Sequence, residues 1–380
     1  MNKDSLLPFL ALEIFAKAKQ LEAQGQKIYH LEVGEPGGSP APRVIEAVKK
    51  ALPNPQTYTH AKGNIDLRES LCDFYALHHG VKIDANNIVI TMGSSSGFLL
   101  AFLGAFETGS SIALTRPGYP AYLNILNGLG FKPVEIALRA ENQWRLSASD
   151  IEIAYKKEPF DGLLFASPAN PTGASIPRDE FKKIIKTCKK LGVQLISDEI
   201  YTGLDYSQKP LTALEFDSQT IVVNSFSKYF CLTGYRIGWL ILPDKFLRKI
   251  EMLQQNMFIS APSLSQTAAI IALEEIDYYQ NQKQQYQNNR DILTNGLIDL
   301  GFEGVKPADG AFYCYVDASK FTNNSFEFCQ NMLASIGVGA TPGADFDRVN
   351  GDEYVRFSFA GKKEDIEQAL KKMTGFLPRP

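Results

Sequence analysis

A lysine set among aromatic residues is the most chemically suggestive feature of this sequence. Lys228 follows an apolar run at 221–223 and has Phe226, Tyr229 and Phe230 as neighbours. Neighbours that exclude water lower the pKa of a lysine, and the neutral amine is a nucleophile. A strand at 221–223 would deliver Lys228 to the edge of a sheet, where open α/β proteins bind their ligands. We therefore interpret Lys228 as a candidate nucleophile, with an unreactive core lysine as the alternative.

Two serine motifs suggest hydrolytic chemistry, but the rest of the sequence argues against it. Residues 93–97 match G-x-S-x-G between a predicted strand and a predicted helix, yet all four histidines precede Ser95, the reverse of the hydrolase order. Residues 225–228 match S-x-x-K of penicillin-binding enzymes, but the accompanying S-D-N and K-T-G motifs do not occur. Small residues at a helix N-terminus instead favour a phosphate site, with a simple N-cap as the alternative.

Three polar or aromatic residues follow other predicted strands. Asp198 lies in S-D-E-I-Y, Asn170 in S-P-A-N-P-T-G, and Tyr119 in P-G-Y-P. Taken singly, each is more often a surface acid, a turn residue or a packed ring. Because the carboxyl ends of parallel strands border one crevice, their joint placement predicts a shared ligand site.

Short apolar segments that alternate with helical patterns predict an α/β fold with a mostly parallel sheet. The clearest helix spans 178–191, with apolar residues on one face and lysines on the other. The predicted strands of the sheet are 88–91, 112–115, 134–137, 163–166, 193–197, 221–223 and 238–242.

The two ends of the chain have a different texture, and we predict that they form a second, smaller α+β domain. An amphipathic helix is predicted at 7–23, a strand at 28–33, and a solvated helix in the Gln- and Asn-rich stretch 280–289 that joins the domains. Asp66 is predicted to cap the helix that follows it. The predicted large domain is 40–279, and the small domain comprises 1–39 and 280–380, with strands at 311–316 and 354–359.

Composition excludes several classes of function. The 380 residues carry a net charge of −3, which gives no support to nucleic acid as a partner. The first fifteen residues predict no signal peptide, and the longest apolar stretch, 98–106, is too short to cross a bilayer. The five cysteines form no C-x-x-C pair and the four histidines show no ligand spacing, so we expect no metal and a cytoplasmic location.

Four motifs in one order resemble those of a known family. N-P-T-G at 170–173, S-D-E-I-Y at 197–201, S-x-S-K at 225–228 and G-x-R at 234–236 resemble fold-type I, pyridoxal-phosphate-dependent aminotransferases of class I/II, close to the aspartate aminotransferase branch. The similarity extends from 31–36 to Arg356. It implies a three-layer fold, pyridoxal 5'-phosphate (PLP) as cofactor and a homodimer.

The resemblance also implies roles for the residues around the cofactor ring. Lys228 would hold PLP as an internal aldimine and then transfer the substrate proton as general base and acid. Asp198 would keep the pyridine nitrogen protonated. Tyr201 and Asn170 would donate hydrogen bonds to the phenolic oxygen, and Tyr119 would stack on the ring.

The phosphate would be held by residues from several parts of the chain, and one of them would come from a second subunit. Tyr58 resembles the family tyrosine that reaches the phosphate of the neighbouring subunit. The other residues implied are Ser94, Ser95, Ser225 and Arg236.

On the substrate side, Arg356 would bind the α-carboxylate through bidentate hydrogen bonds, helped by the backbone of Gly34. The loop at 34–40 carries Gly37 and Gly38 where relatives usually have larger residues, which predicts fewer substrate contacts and higher mobility. The resulting hypothesis is an aminotransferase, with aspartate and 2-oxoglutarate as an expected pair. The alternatives are a PLP-dependent lyase or decarboxylase and, outside enzymes, a PLP-binding regulatory module.

Overall fold

The computed structural model describes residues 6–378. Residues 1–5 and 379–380, which belong to the predicted small domain, lie outside the described part of the chain. The strands are β1 Tyr29–His30, β2 Ile88–Thr91, β3 Ser111–Arg116, β4 Lys132–Ala137, β5 Gly162–Ala166, β6 Gln194–Asp198, β7 Ile221–Ser225, β8 Gly238–Ile241, β9 Tyr313–Asp317, β10 Val338–Gly339, β11 Thr341–Pro342 and β12 Tyr354–Ser358. The helices are α1 Leu10–Ala23, α2 Pro42–Ala51, α3 Ile65–His79, α4 Gly93–Ala105, α5 Pro120–Leu129, α6 Ala148–Lys157, α7 Arg178–Leu191, α8 Asp244–Met257, α9 Ser263–Glu274, α10 Ile276–Asp299, α11 Ser325–Ile336 and α12 Lys363–Phe376.

A seven-stranded sheet organises the middle of the chain, with the strand order β2-β8-β7-β6-β5-β3-β4. Strand β8 runs antiparallel to β2 and β7, while the other neighbouring strands are parallel. The predicted α/β fold with a mostly parallel sheet is therefore confirmed. All seven predicted strands are present, with bounds that differ by at most two residues.

Helices cover both faces of this sheet, which explains why its strands are apolar at consecutive positions. In β7, Val222 packs into one hydrophobic core, whereas Ile221 and Val223 pack into the core on the opposite face. Because successive side chains of a strand point to opposite faces, both positions must be apolar when both faces are covered.

Two smaller sheets lie outside the central one. Strands β9, β12 and β11 form an antiparallel sheet, and β1 pairs with β10 in parallel. The β1–β10 pair joins the chain before residue 40 to the chain after residue 280 in one sheet. The bounds of the two domains themselves stay a prediction.

The predicted strand at 28–33 is wrong in extent, because only Tyr29–His30 is a strand. Leu31 still donates its N–H to the Gly339 carbonyl and accepts from the Ser358 N–H, whereas the carbonyls of Glu32 and Gly34 accept hydrogen bonds from side chains. The carbonyl of Glu32 accepts from Arg356 at 2.7 Å, and that of Gly34 accepts from Lys228 at 2.6 Å. This stretch is thus a loop because its backbone serves the cavity described below.

Two helix predictions also need correction. Helix α3 is capped by Asn64, whose side chain accepts from the Asp66 N–H at 3.2 Å, so the predicted Asp66 cap is wrong. Helix α10 is longer than the predicted solvated segment and buries one face, including Tyr279, Tyr286 and Leu293. Within residues 6–378, no helix is long and apolar enough to cross a membrane, and no three His, Cys, Asp or Glu side chains cluster as a metal site requires.

Candidate active site

A cavity of about 660 Å³ opens where β3, β5, β6 and β7 end. It brings together residues that are more than a hundred positions apart in the sequence, as the strand-end argument predicted. Among the residues that line it are ten of those predicted for the site: Gly34, Ser94, Ser95, Tyr119, Asn170, Asp198, Tyr201, Lys228, Arg236 and Arg356.

Lys228 follows β7 and points into this cavity, where its Nζ donates a hydrogen bond to the Gly34 carbonyl at 2.6 Å. Burial lowers the pKa of Lys228 to about 8, with the nearby Glu35 carboxylate opposing this shift and Arg356 adding to it. An amine with this pKa is partly neutral at pH 7 to 8. Lys228 therefore has the lowered pKa expected of a nucleophile.

Asp198 ends β6 and is fully buried at the cavity. Its Oδ2 accepts a hydrogen bond from the Tyr122 hydroxyl, and its Oδ1 accepts from the Ile200 N–H at 3.0 Å. Burial raises the pKa of Asp198 to about 6, so the carboxylate is ionised at neutral pH. A buried anion of this kind fits the protonated nitrogen of a heteroaromatic ring.

The sequence reasoning missed Tyr122, although a signal for it exists. Tyr122 lies on α5, three residues after Tyr119, and residues at this spacing share one helix face. The two rings meet edge to face with centroids 5.3 Å apart. A reader who had placed Tyr119 at the cavity could have placed Tyr122 beside it.

The N-terminus of α4 and Arg236 form a cradle for an anion. Ser94 and Ser95 lie in the first turn of α4, where backbone N–H groups lack helical partners and the helix dipole attracts negative charge. A Cβ on Gly93, whose φ is +70°, would lie 2.7 Å from Nη2 of Arg236. Glycine is thus required here for the guanidinium to approach the helix end, as a phosphate site needs.

Two of the predicted phosphate ligands do not line the cavity. Ser225 is buried behind Ser227, and their hydroxyls are 2.9 Å apart. Ser227 itself lines the cavity and was missed by the sequence reasoning. Tyr58 is 79% exposed. The predicted roles of Ser225 and Tyr58 stay predictions.

Arg356 lies on β12 and is held by three hydrogen bonds from its terminal nitrogens. Nη2 donates to the Glu32 carbonyl at 2.7 Å and to Thr341 Oγ1 at 3.0 Å, and Nη1 donates to Asn170 Oδ1 at 2.9 Å. Its buried Nε has no hydrogen-bond partner among the described residues. A buried donor without a partner is costly, so a carboxylate would fit beside this guanidinium.

Aromatic rings fix the guanidinium of Arg356 from the side. Its Cζ lies 4.3 Å from the centroid of Tyr313 and 4.8 Å from that of Phe346. Cation–π contacts at these distances favour the charged, oriented side chain. Neither ring was predicted, because no local motif connects Tyr313 or Phe346 to Arg356.

An apolar wall completes the cavity. Phe9, Leu12 and Phe15 contribute to it from α1 and the residue before it, and Ile125 contributes from α5. The cations among the described lining residues are Lys228, Arg236 and Arg356. The sequence predicted α1 only as an amphipathic helix and did not place it at the site.

The glycine pair of the loop beside Gly34 has a packing reason. A Cβ on Gly37 would overlap the Ala360 carbonyl, and a Cβ on Gly38 would meet the Gln282 side chain. Larger residues would push the loop away from β12 and α10. The higher mobility predicted for this loop is a separate expectation that stays a prediction.

Together, these groups fit PLP and an amino-acid substrate. Lys228 offers an amine, Asp198 a buried carboxylate, and the start of α4 with Arg236 an anion cradle. The partnerless Nε of Arg356 offers a donor for a carboxylate. The fold and the site define a PLP-dependent enzyme that acts on amino acids.

Comparison with known proteins identifies the family. The sequence model of aminotransferase class I and II matches residues 26–373, so the chain belongs to this family. It is similar to the valine–pyruvate aminotransferase of Mycobacterium tuberculosis, with 39% identity over 376 residues, 98% of this chain and 96% of that protein. It is also similar to an aspartate aminotransferase of Pyrococcus horikoshii, with 29% identity over 367 residues, 95% of this chain and 92% of that protein.

A solved structure agrees with both results. The crystal structure of an aminotransferase from Mycobacterium tuberculosis matches with a TM-score of 0.95 at 39% identity and covers 100% of this chain and 98% of that one. The protein is thus a fold-type I aminotransferase that uses PLP, as the resemblance predicted. Because it is an enzyme of the transferase class, the regulatory-module hypothesis is not supported.

Proposed function

We propose that this aminotransferase transfers the amino group of an L-amino acid with an apolar side chain to a short 2-oxo acid such as pyruvate. The apolar wall of Phe9, Leu12 and Phe15 carries this proposal. A carboxylate on the substrate side chain would need a further cation, and the three cations among the described lining residues would be engaged by the cofactor and the α-carboxylate. The relative named valine–pyruvate aminotransferase supports the same substrate class.

The residues proposed to hold PLP surround its ring and its phosphate. Lys228 would bind it covalently through Nζ, Asp198 would face the pyridine nitrogen, and Tyr119 would stack on the ring. Tyr201 and Asn170 would donate hydrogen bonds to the phenolic oxygen. The phosphate ligands proposed are Ser94, Ser95, Ser225, Arg236 and, from a second subunit, Tyr58.

When bound, PLP supplies an electron-withdrawing ring that stabilises negative charge at the carbon from which the substrate proton leaves. Once the substrate amine has displaced it from the cofactor, Lys228 Nζ would take the proton from the substrate Cα as general base and deliver it to the cofactor carbon C4′ as general acid. Its pKa of about 8 suits both roles near neutral pH. Asp198 keeps its negative charge through these steps because its pKa lies near 6.

Arg356 would orient the substrate by its carboxylate. Two parallel N–H groups of a guanidinium match the two oxygens of a carboxylate, which fixes the direction of the Cα–H bond as well as the position of the substrate. Asn170 would keep accepting from Arg356 through its Oδ1 while its amide nitrogen donates to the ligand. The backbone of Gly34 lies beside this site and would help to close it.

Aspartate with 2-oxoglutarate is the second candidate pair, and the relative named aspartate aminotransferase favours it. Both compounds carry a second carboxylate. The described residues of one chain offer no further lining cation for it, so a second protomer would have to provide one.

A panel of donors and acceptors tests the substrate class. Purified holoenzyme is assayed with valine, leucine, aspartate and glutamate against pyruvate and 2-oxoglutarate, and kcat/KM is compared. We expect the apolar donors with pyruvate to exceed aspartate with 2-oxoglutarate by at least about tenfold. A preference for aspartate of the same size would contradict the proposal and favour the second candidate.

Leu12→Arg makes the comparison sharper, because Leu12 is 61% exposed and its replacement should not disturb folding. The new cation should raise kcat/KM for aspartate and lower it for valine. Lys17→Arg, on the same helix but away from the cavity lining, is the matched control and should leave both values unchanged.

We also propose a homodimer in which Tyr58 reaches the site of the neighbouring subunit. Tyr58 is 79% exposed, and the Thr59 N–H donates to Ser260 Oγ at 3.3 Å, which links this segment to the exposed Met257 and Ile259. Exposed apolar side chains on linked segments are suited to contact with a second copy. A cytoplasmic location and the absence of nucleic-acid and membrane partners stay predictions.

Mixing two inactive variants tests the shared site. Tyr58→Ala and Lys228→Ala each damage both sites of a homodimer, but a mixed dimer has one site with both changes and one site with neither. Activity should therefore return when the two proteins are unfolded and refolded together. A monomer in light scattering, or no recovery on mixing, would contradict the dimer proposal.

A further inference from the structure

Tyr313 contacts both the residue proposed for the substrate carboxylate and a residue proposed for the cofactor. It starts β9, is fully buried and lines the cavity. Its ring lies 4.3 Å from Cζ of Arg356, and its hydroxyl lies 2.8 Å from the hydroxyl of Tyr201. Asn170, whose Oδ1 accepts from Arg356 Nη1 at 2.9 Å, also joins the two parts of the site.

The chain before Tyr313 is tied to the segments that carry the cofactor residues. The Gly310 N–H donates to the Gly173 carbonyl at 2.9 Å, and the Ala311 N–H donates to the Leu204 carbonyl at 2.9 Å. Ala311 has a φ of +57°, a conformation that residues other than glycine rarely adopt. The ring of Tyr313 is therefore delivered to a set position relative to Asn170 and Tyr201.

The direction of the hydrogen bond between the two tyrosines follows from proton counting. A tyrosine hydroxyl has one proton to donate. If Tyr201 donates its proton to the phenolic oxygen of the cofactor, the proton between Tyr201 and Tyr313 must come from Tyr313. A hydroxyl that accepts a hydrogen bond becomes a stronger donor, because bonds in a chain polarise one another.

We propose that Tyr313 is a positioning residue that links the two parts of the site. Its hydroxyl orients the proton of Tyr201 toward the cofactor, and its ring holds Arg356 for the substrate carboxylate. This inference rests on the roles proposed above for Tyr201 and Arg356. It gives the hydroxyl and the ring separate effects, which two substitutions can separate.

Tyr313→Phe removes the hydroxyl and keeps the ring. The visible absorbance of bound PLP in the substrate-free holoenzyme is measured as a function of pH. Loss of the Tyr313 hydroxyl weakens the hydrogen bond from Tyr201 to the phenolic oxygen, so the deprotonated form of the bound cofactor is less favoured. The midpoint of the absorbance change should therefore rise by about 0.5 to 1 pH unit. The KM of the preferred amino donor should stay within about twofold, because the ring remains beside Arg356.

Tyr313→Leu removes both the hydroxyl and the ring. It should show the same rise in the midpoint and, in addition, a KM raised about threefold to tenfold. Tyr315→Phe is the matched control, since Tyr315 is a buried tyrosine of the same strand whose hydroxyl has no partner among the described residues. Its midpoint and KM should equal those of the wild type.

The outcomes separate this inference from the site proposal beneath it. An unchanged midpoint in Tyr313→Phe, with a raised midpoint in Tyr201→Phe, would overturn the inference alone. Unchanged midpoints in both variants would overturn the proposed role of Tyr201 as well. The midpoint is measured without substrate, so an error in the proposed donor class cannot alter it, and the Phe variant decides even if the Leu variant fails to fold.

Discussion

The residues assigned to the cofactor and those assigned to the substrate are supported by different parts of the fold. Asp198, Lys228 and Arg236, here the cofactor region, follow strands of the central sheet or lie next to them. The substrate region comprises the apolar wall and Arg356, which α1 and the small antiparallel sheet provide. One region rests on a sheet buried on both faces, and the other rests in part on a helix whose Leu12 is 61% exposed.

This difference has a consequence for function. A buried sheet holds charged groups in fixed positions, which suits a cofactor that must be bound in one way. A helix packed at the surface can move or vary with little effect on the core, which suits the part of the site that selects a substrate. Changes in the cofactor region should therefore lower kcat for every donor, whereas changes in the substrate region should alter KM, and those in the apolar wall should do so to an extent that depends on the donor.

The largest expected effect is that of Lys228→Ala. Without the amine, no group remains to bind PLP covalently or to move the substrate proton, so kcat should fall by at least about 10³-fold for all donors. The visible absorbance of the bound cofactor should change to that of free PLP. Lys189→Ala, at an exposed lysine of α7, is the control. Activity retained in Lys228→Ala would contradict the assignment.

Asp198→Asn should have the next largest effect. The amide cannot supply the negative charge that keeps the pyridine nitrogen protonated, so kcat should fall by about 10²- to 10³-fold, again for every donor. In the wild type, the affinity of the apoenzyme for PLP should weaken as pH falls through about 6, because Asp198 becomes neutral below its pKa. A titration of apoenzyme with PLP from pH 8 to pH 5 measures this, and a flat profile would argue against the role.

How much of each region could be predicted from sequence follows the same division. The cofactor region was readable because each residue lies in a short motif next to an apolar strand. What it missed are neighbours in space, such as Ser227, which lines the cavity. Tyr122 was missed although it lies three residues from Tyr119, because helical spacing identifies a shared face without saying what the face contacts.

The substrate region was much less readable. Its contacts join segments that are far apart, such as Asn170 and Arg356, which are 186 positions apart. An amphipathic pattern predicted α1 but could not say that Phe9 and Phe15 lie at a cavity instead of in a core. Arg356 was found only through the family resemblance. Tertiary packing, which no local pattern encodes, decides this part of the site.

Arg356→Lys tests the substrate region. A lysine keeps the positive charge but cannot form two parallel hydrogen bonds to a carboxylate or stack between Tyr313 and Phe346. The KM of every amino donor should rise by about 10- to 100-fold, with a smaller decrease in kcat. The absorbance of bound PLP should stay unchanged. A fall in kcat with unchanged KM would remove the distinction between the two regions.

The smallest effect concerns the attachment of α1 to the rest of the substrate region. His30 Nε2 lies 3.0 Å from Glu22 of α1, and its Nδ1 lies 2.6 Å from the buried Glu32. Only a protonated imidazole can donate to both carboxylates, and the hydrogen bond to Glu32 is the main reason why the pKa of His30 is raised. Its ring also packs near Phe15 of the apolar wall.

The sign of the pH effect follows from this raised pKa. The stabilisation by protonated His30 is complete below the pKa of histidine in the unfolded chain, near 6.5. It is lost as pH rises through the higher pKa of His30 in the folded protein. In urea unfolding, the free energy of unfolding of the wild type should fall by less than about 1 kcal/mol from pH 6 to pH 9. His30→Asn should not show this decrease. If the position of α1 depends on this contact, the KM for an apolar donor should rise between pH 6 and pH 9. Over the same pH range, the absorbance of bound PLP should remain alike in Arg356→Lys and in the wild type. If the free energy of unfolding and KM depend on pH in the same way in the wild type and in His30→Asn, packing alone holds the apolar wall in place. The substrate region would then be as firmly held as the cofactor region, despite its greater exposure.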